Sequence, residues 1–232
     1  MELLLLLVTL TSCAAIPQNL VNKMFTFPQE SATAHVRLTT SRQDLRAVTV
    51  CLRTFSDIKR DQAFFSLATP SKTNDFLIFK LGVADKFNLH VRDKYAAVEG
   101  HDWKLNTWHS VCVTWDAASG LVQLWLDGKP SSRKFVSSGS NINGPFIIVL
   151  GQDQDTFGGG FDTKQSFVGM MTDVHMWDYT LSPCEIQRHA DGLIFNSGNV
   201  LKWESLEFQA NGKVLIEEKQ NRCCCNANTN FV

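Results

Sequence analysis

The chain has 232 residues, a formal net charge of -1 and an aromatic content of 10%. A chain of this length can form one domain that buries about 70% of the surface that its unfolded form exposes. Because the charge is near zero and no cluster of Lys and Arg occurs, the composition argues against nucleic acid or an anionic membrane as the main partner.

The first 16 residues resemble a secretory leader. Residues 3–8 are apolar, and the small residues Ala14 and Ala15 follow them as a cleavage site requires. We therefore expect residues 1–16 to be a signal peptide and the mature protein to be secreted and extracellular. Cys13 also gives this segment a loose likeness to a bacterial lipoprotein box, so lipidation stays an alternative. No later apolar run approaches the roughly 20 residues of a membrane span.

Strand patterns then follow one another along the chain. Short apolar runs bounded by turn residues predict strands at residues 24–27, 35–38, 47–55, 64–67, 75–79, 87–91, 110–115, 121–126, 146–150 and 166–177. A helix over about residues 183–190 is predicted by Ser182 as N-cap, Glu185 completing a capping box and Gly192 as the stop. Many strands and one short helix predict an all-β fold, a two-sheet jelly roll or a related sandwich, and exclude a parallel α/β fold.

Two of the seven cysteines lie in the middle of predicted strands. Cys51 and Cys112 occupy similar sequence patterns, so the two side chains can face each other inside a sandwich. Because secretion favours disulfides, we predict that these two residues are bonded.

The other mature cysteines are Cys184, at the start of the predicted helix, and the run 223–225. Residues 17–220 are predicted to form one folded domain, and residues 221–232 a cysteine-rich tail. One tail cysteine can reach Cys184. Since adjacent cysteines pair with each other only in a strained ring, we expect the remaining two to bond a neighbouring subunit, with free thiols as the alternative.

The segment that follows the predicted strand at 146–150 combines acceptor oxygens with glycines. Its oxygen donors are the side chains of Asp153, Asp155, Asp162 and Gln165 and the carbonyl of Gln154. Calcium takes about six to eight such oxygen ligands. The glycines at 158–160 allow the backbone to turn sharply and bring the later donors back over the earlier ones. We interpret residues 150–167 as a calcium loop.

Other kinds of site would set different requirements for the residues of this segment. An EF-hand fails, because the fifth and twelfth loop positions counted from Asp153 are Phe157 and Lys164. A retaining glycan hydrolase that uses Asp153 and Asp155 as its carboxylate pair stays open, as does an acidic turn that binds nothing. The six histidines show no metal-ligand spacing, and no nucleophile elbow occurs.

Several spaced segments together resemble the short pentraxins. They are residues 108–115, 124–130, 150–159, 165–169 and 176–178, and the resemblance covers about residues 24–216. The resemblance implies a pentraxin domain over residues 17–220 and a cyclic homopentamer of flattened jelly rolls. Each subunit would bind two calcium ions, and these would hold a phosphate-bearing ligand.

By position in these motifs, the implied calcium ligands are Asn74, Asp153, Gln154 through its carbonyl, Asp155, Asp162 and Gln165, with Asp75 as an additional or alternative ligand. Phe79 matches the aromatic ring against which family members pack choline methyl groups. Two calcium ions carry four positive charges and the three aspartates carry three negative charges. The site would therefore keep a net positive charge that attracts phosphate. Two departures are that Thr73 replaces an aspartate and that residues 80–99 hold no clear counterpart of the acid that pairs with choline.

The resemblance therefore implies a secreted pattern-recognition lectin of innate immunity, of the acute-phase kind, that performs no catalysis. Its expected ligands are phosphocholine or related phosphorylated glycans, and complement components are further partners that it implies. A sandwich-fold glycan hydrolase and a laminin-G-like adhesion domain are the alternatives from other classes.

Overall fold

Two antiparallel sheets pack face to face in a computed structural model that describes residues 16–83 and 85–220. The predicted tail at 221–232, and the predicted signal peptide apart from residue 16, lie outside the described residues. No helix among the described residues is long and apolar enough to cross a membrane.

In chain order the strands are β1 (Lys23–Phe27), β2 (His35–Leu38), β3 (Asp44–Leu45), β4 (Ala47–Phe55), β5 (Gln62–Thr69), β6 (Lys72–Lys80), β7 (Phe87–Val91), β8 (Lys94–Val98), β9 (Trp108–Asp116), β10 (Leu121–Leu126), β11 (Lys129–Pro130), β12 (Lys134–Phe135), β13 (Ile142–Asn143), β14 (Ile147–Leu150), β15 (Gly169–Trp177), β16 (Phe208–Asn211) and β17 (Leu215–Glu218). One α-helix, α1, spans Pro183–Ala190 of the described chain, and short 3-10 turns span Thr163–Gln165 and Trp203–Ser205.

One sheet has the order β11-β10-β9-β4-β15-β1-β17, with β12 also paired to β10, and the other has the order β16-β2-β14-β5-β6-β7-β8. The short strands β3 and β13 form a separate pair. This arrangement confirms the prediction of an all-β, two-sheet jelly-roll sandwich with one short helix.

The strands at the centre of each sheet are buried on both faces. All eight residues of β5 are buried, and so are the seven inner residues of β9. One face of each strand meets the core between the sheets. The other face of β5 is covered by the predicted calcium loop, and that of β9 by α1 and the residues before it. The outer cover of β5 therefore positions the candidate site.

The predicted disulfide between Cys51 and Cys112 is present, with 4.1 Å between the two Cα atoms. The two residues are direct partners in the β4–β9 register, so their side chains leave the same face of the sheet. They lie in an apolar cluster with Trp125, Trp177 and Ile186 under α1. The bond therefore ties together the two central strands of the sheet that carries the helix.

The helix begins and ends where the capping residues predict. The backbone N–H of Glu185 donates to Ser182 Oγ at 3.3 Å, and the backbone N–H of Ser182 donates to Glu185 Oε2 at 3.0 Å. Gly192 follows the helix with φ +67°, a conformation that glycine adopts without strain. These contacts confirm the prediction for residues 183–190.

Two strands begin about three residues away from the predicted start, and the other predicted strands agree more closely. Strand β6 begins at Lys72 rather than at residue 75, so Asn74 and Asp75 lie within the strand. Strand β15 begins at Gly169 rather than at residue 166, because residues 163–165 form a 3-10 turn. The sequence prediction also missed β8, β16 and β17. All four residues of β17 are exposed, so that strand carries no alternation of apolar and polar residues.

Two buried histidines, His189 of α1 and His175 of β15, make acid stability a test of this region. The rings of His175 and His189 are 6.1 Å apart, and burial is the main cause that lowers the pKa of each to about 4. Between that value and the ordinary pKa of 6.5 the unfolded chain binds more protons than the folded chain, so stability falls with falling pH.

We expect the two histidines each to reduce the free energy of unfolding by about 2 kcal/mol between roughly pH 7 and pH 5. Denaturant unfolding measured across this range checks the value. His189→Gln removes one titrating group and should flatten the pH dependence. An equally steep dependence in that variant would contradict the assignment to His189.

Candidate metal site

The predicted calcium loop begins and ends at the same point of the structure. Gly151 has φ +84°, and a Cβ at this position would lie 2.6 Å from Phe27 Cε1, so the turn out of β14 requires glycine. The N–H of Phe167 donates to the carbonyl of Gly151 at 2.9 Å. Residues 151–167, which we call the acidic loop, are therefore clasped at their base.

Two buried glutamines hold the first half of the acidic loop against the sheet. Gln154 Nε2 donates to the carbonyls of Ser66 and Ile147 at 3.1 and 3.0 Å. Gln154 Oε1 accepts from the N–H of Gly158 at 3.0 Å. Gln152 Nε2 donates to the carbonyl of Ala34 at 2.9 Å. Because the side chain of Gln154 is used in this way, its backbone carbonyl is the oxygen that it can offer to a metal.

An arginine that the sequence analysis did not single out fixes the second half of the loop. The guanidinium of Arg60 donates to the carbonyls of Thr163 and Ser166 at 2.8 and 2.7 Å. Thr163 is the first residue of the 3-10 turn and Ser166 is the residue that follows it. The N-cap of this turn is Asp162, and its last residue is Gln165. Asp162 Oδ1 accepts from the N–H of Lys164 at 2.9 Å. Arg60 thus positions both predicted ligands of this half.

The predicted ligands of β6 lie over the same part of β5 as the acidic loop does. Asp75 is fully buried, and its Oδ2 accepts from Thr69 Oγ1 at 2.6 Å. Its Oδ1 lies 3.4 Å from the guanidinium of Arg92. Gln154 contacts Ser66 of β5, three residues before Thr69. Residues 66–69 of β5 therefore lie beneath both halves of the predicted ligand set.

Asn74 is held by its backbone rather than by its side chain. Its N–H donates to Asp93 Oδ1 at 3.0 Å, and its carbonyl accepts from the N–H of Asp93 at 3.0 Å. Asp93 lies in the turn between β7 and β8, and its role was not predicted from the sequence. The contacts leave the Asn74 side-chain oxygen unengaged, whereas one oxygen of Asp75 is already used.

Four buried acceptor oxygens of the predicted ligand set have no hydrogen-bond donor. They are Asn74 Oδ1, Asp75 Oδ1, Asp153 Oδ1 and Gln165 Oε1. A buried polar atom without a partner costs about 1 to 3 kcal/mol. Carboxylate and amide oxygens are hard donors of the kind that calcium takes, and of the four only Asp75 Oδ1 already faces a cation, the guanidinium of Arg92. The residues present therefore fit a calcium site.

The carboxylates differ in exposure in a way that suits binding of an outside ligand. Asp153 is buried, whereas Asp155 and Asp162 are exposed. Burial, followed by the neighbouring charge of Asp155, raises the pKa of Asp153 to about 6. Two adjacent carboxylates, one of them desolvated, repel each other until a cation lies between them. The exposed side chains of Asp155 and Asp162 form a rim that leaves one side of the loop open to solvent.

Phe79 lies on the same outer face of β6 as Asp75, because side chains alternate along a strand. It is 7% exposed and packs with Ala63 and Leu77 in a small apolar cluster. A separation of four residues along a strand is about 13 Å. Phe79 is thus an apolar surface beyond one end of the candidate metal site.

The all-β sandwich with an oxygen-rich loop over one of its sheets is a lectin-like β-sandwich module. The chain belongs to the pentraxin family, since the family model described as the Pentaxin family matches residues 23–218. This result confirms the resemblance seen in the spaced motifs. It also confirms that the chain is not an enzyme, and it sets aside the hydrolase and adhesion-domain alternatives.

Individual relatives are similar in sequence to this chain over almost its whole length. Identity to the serum amyloid P-component of Mus musculus is 38% over 213 residues, covering 91% of this chain and 93% of that protein. Identity to the C-reactive protein of Sus scrofa is 38% over 218 residues, covering 94% and 96%. The native heptameric SAP-like pentraxin from Limulus polyphemus is similar in structure, with a TM-score of 0.79, 26% identity and coverage of 87% and 97%.

Proposed function

We propose that this chain is a secreted, calcium-dependent pattern-recognition protein of innate immunity, of the acute-phase kind. It binds phosphocholine or related phosphorylated glycans. In this proposal residues 1–16 are the signal peptide, 17–220 the pentraxin domain and 221–232 the cysteine-rich tail. The observation that carries the proposal is the group of unpaired buried oxygens at the acidic loop and β6.

Two calcium ions per subunit would supply the positive charge that binds a phosphate oxygen. The residues that would hold them are Asn74, Asp153, Gln154 through its carbonyl, Asp155, Asp162 and Gln165, with Asp75 as the additional donor. Asp153 offers a buried oxygen, and the exposed Asp155 lies next but one to it, where it can contact both ions. The chain's own role is to fix these oxygens through Gln154 and Arg60.

Phe79 would contact the end of the ligand that is remote from the phosphate. A quaternary ammonium group against an aromatic ring gains about 0.5 to 2 kcal/mol. A ring that is only partly accessible favours small methyl groups over bulky ones. Phe79 therefore supports phosphocholine as one ligand of the site.

A homo-oligomeric ring would present several such sites to one surface. We propose a pentamer, and the native heptameric SAP-like pentraxin from Limulus polyphemus supports a homo-oligomeric assembly. Several weak sites on one ring bind a surface far more tightly than one site does, because each later contact forms at high effective concentration. Such an array also suits recognition by complement components.

Retention on a phosphocholine resin tests the proposed function. The purified protein should bind in millimolar calcium and elute with EDTA, because the phosphate contact runs through the metal. Its retention should survive a change of buffer that keeps calcium present. Passage through the resin in calcium, with the fold intact by circular dichroism, would contradict calcium-dependent phosphate recognition.

The Phe79→Ala variant tests the choline end of the site. Titration calorimetry in calcium should show weaker binding of free phosphocholine to this variant than to the wild type, by about 0.5 to 2 kcal/mol for the lost ring contact. Binding of inorganic phosphate should be unchanged, because phosphate does not reach the ring. An equal change for both ligands would mean that Phe79 serves only the packing of the sheet.

A further inference from the structure

A buried cation lies at the end of β6, away from the candidate metal site. Lys80 continues the inward face of the strand that Phe76 and Ile78 occupy. It is 5% exposed, and its Nζ is 5.6 Å from the ring centroids of both Phe87 and Trp103. The ammonium group is thus largely removed from water and packed between aromatic rings.

Lys80 makes no direct ion pair with a described carboxylate, and Asp85 and Asp61 act on it only from a distance. Its Nζ donates to the carbonyl of Leu81 at 2.7 Å, and no described carboxylate lies within 4.0 Å of it. Burial is the main cause that lowers the pKa of Lys80, although Asp85 and Asp61 act in the opposite direction. Buried cations in proteins are almost always paired, so a solitary one calls for a counter-ion.

A cavity of about 240 Å³ opens beside this ammonium group. Among its lining residues are Lys59, Arg60 and Lys80, and Asp85 is the one carboxylate among them. Because the guanidinium of Arg60 is bonded to the acidic loop, the charges left to the cavity are those of Lys59, Lys80 and Asp85, which sum to a net positive charge. Lys59 makes no hydrogen bond or ion pair with any described residue, so its ammonium group is also available.

The remaining wall of the cavity is partly apolar. Trp103 and Leu105 contribute this surface, and the Trp103 ring is stacked on His109 with 4.4 Å between their centroids. The ring is thereby fixed in place. The cavity offers two ammonium groups on one side and a rigid apolar surface on the other, and its volume exceeds that of a small inorganic anion.

We propose that this cavity is an anion-binding site, separate from the acidic loop, in which Lys80 and Lys59 bind one oxyanion group. The group is a carboxylate, sulfate or phosphate, either as a free ion or as the acidic substituent of a sugar whose ring lies against Trp103. Its oxygens accept hydrogen bonds from the two ammonium groups, and its charge balances that of Lys80. The site requires no calcium.

Titration calorimetry of the full-length protein, freed of calcium on a chelating resin and measured in a buffer without EDTA, tests the proposal. Omitting calcium makes the result independent of the proposed calcium-dependent function. We expect saturable binding of one sulfate ion per chain at millimolar concentration in constant ionic strength. Glucuronate should bind more tightly than acetate if the apolar wall holds a sugar ring, and equally if the site takes the free oxyanion alone.

Lys80→Met is the decisive variant, because it keeps the apolar stem against both rings and removes the charge. It should weaken sulfate binding at least tenfold, and Lys80→Gln serves in its place if the first variant does not fold. Lys129→Gln, which removes an exposed lysine elsewhere, should bind sulfate as the wild type does. Absence of saturable binding to the wild type, or equal binding to the wild type and Lys80→Met, would overturn the proposal.

Discussion

Replacing Asp155 by alanine should abolish calcium-dependent ligand binding and leave the protein folded. Its carboxylate is exposed, so its removal creates no cavity in the core. It also lies close enough to Asp153 to raise the pKa of that residue, so the two side chains face a shared space. Loss of a charged ligand from such a site lowers metal affinity on the order of 100-fold or more.

Calcium calorimetry, followed by the phosphocholine resin, measures the Asp155→Ala effect. Asp102→Ala is a matched control, because Asp102 is also an exposed aspartate but pairs with Lys104 on another part of the surface. The control should bind calcium as the wild type does. Two calcium ions bound by Asp155→Ala with unchanged affinity would mean that the acidic loop has been wrongly assigned.

The double variant Cys51→Ala, Cys112→Ala should lose about 4 kcal/mol of its free energy of unfolding. The disulfide closes a chain separation of 61 residues, and the estimate follows from the entropy that this closure removes from the unfolded chain. Loss of the sulfur atoms also loosens the apolar cluster beneath α1. Both effects act on the sheet that carries the helix rather than on the sheet beneath the acidic loop.

Guanidinium unfolding of the double variant, compared with the oxidised and the reduced wild type, measures this contribution. The reduced wild type should unfold at nearly the same denaturant concentration as the double variant, because both lack the covalent link. A loss below 1 kcal/mol would show that the sandwich packing alone holds β4 against β9.

The sequence predicted best those elements whose boundaries have local chemical causes. Helix α1 was predicted to the residue, because Ser182, Glu185 and Gly192 act within a few positions of the helix itself. Strand β17 was missed because it is held by pairing with the distant β1 while all its side chains face solvent. Such pairing depends on which segments meet in space.

The same distinction applies to the candidate site. The donors of the acidic loop follow one another in the chain, so their residue types alone indicated a cation site. The residues that hold these donors in place are distant from them in the chain. Arg60 contacts a turn more than a hundred positions away, and Asp93 anchors Asn74 across a hairpin. No periodicity or motif links residues at such separations, so only the folded structure identifies them.

The clasp between Gly151 and Phe167 makes the acidic loop separable from the sandwich that carries it. The chain enters and leaves the loop at one hydrogen bond, and the sheet beneath it is complete without the rim residues. Residues between 155 and 162 can therefore be exchanged or lengthened with little change to the β-sandwich. The acidic loop is thus a natural graft point for redirecting the protein to new surfaces without redesigning its scaffold.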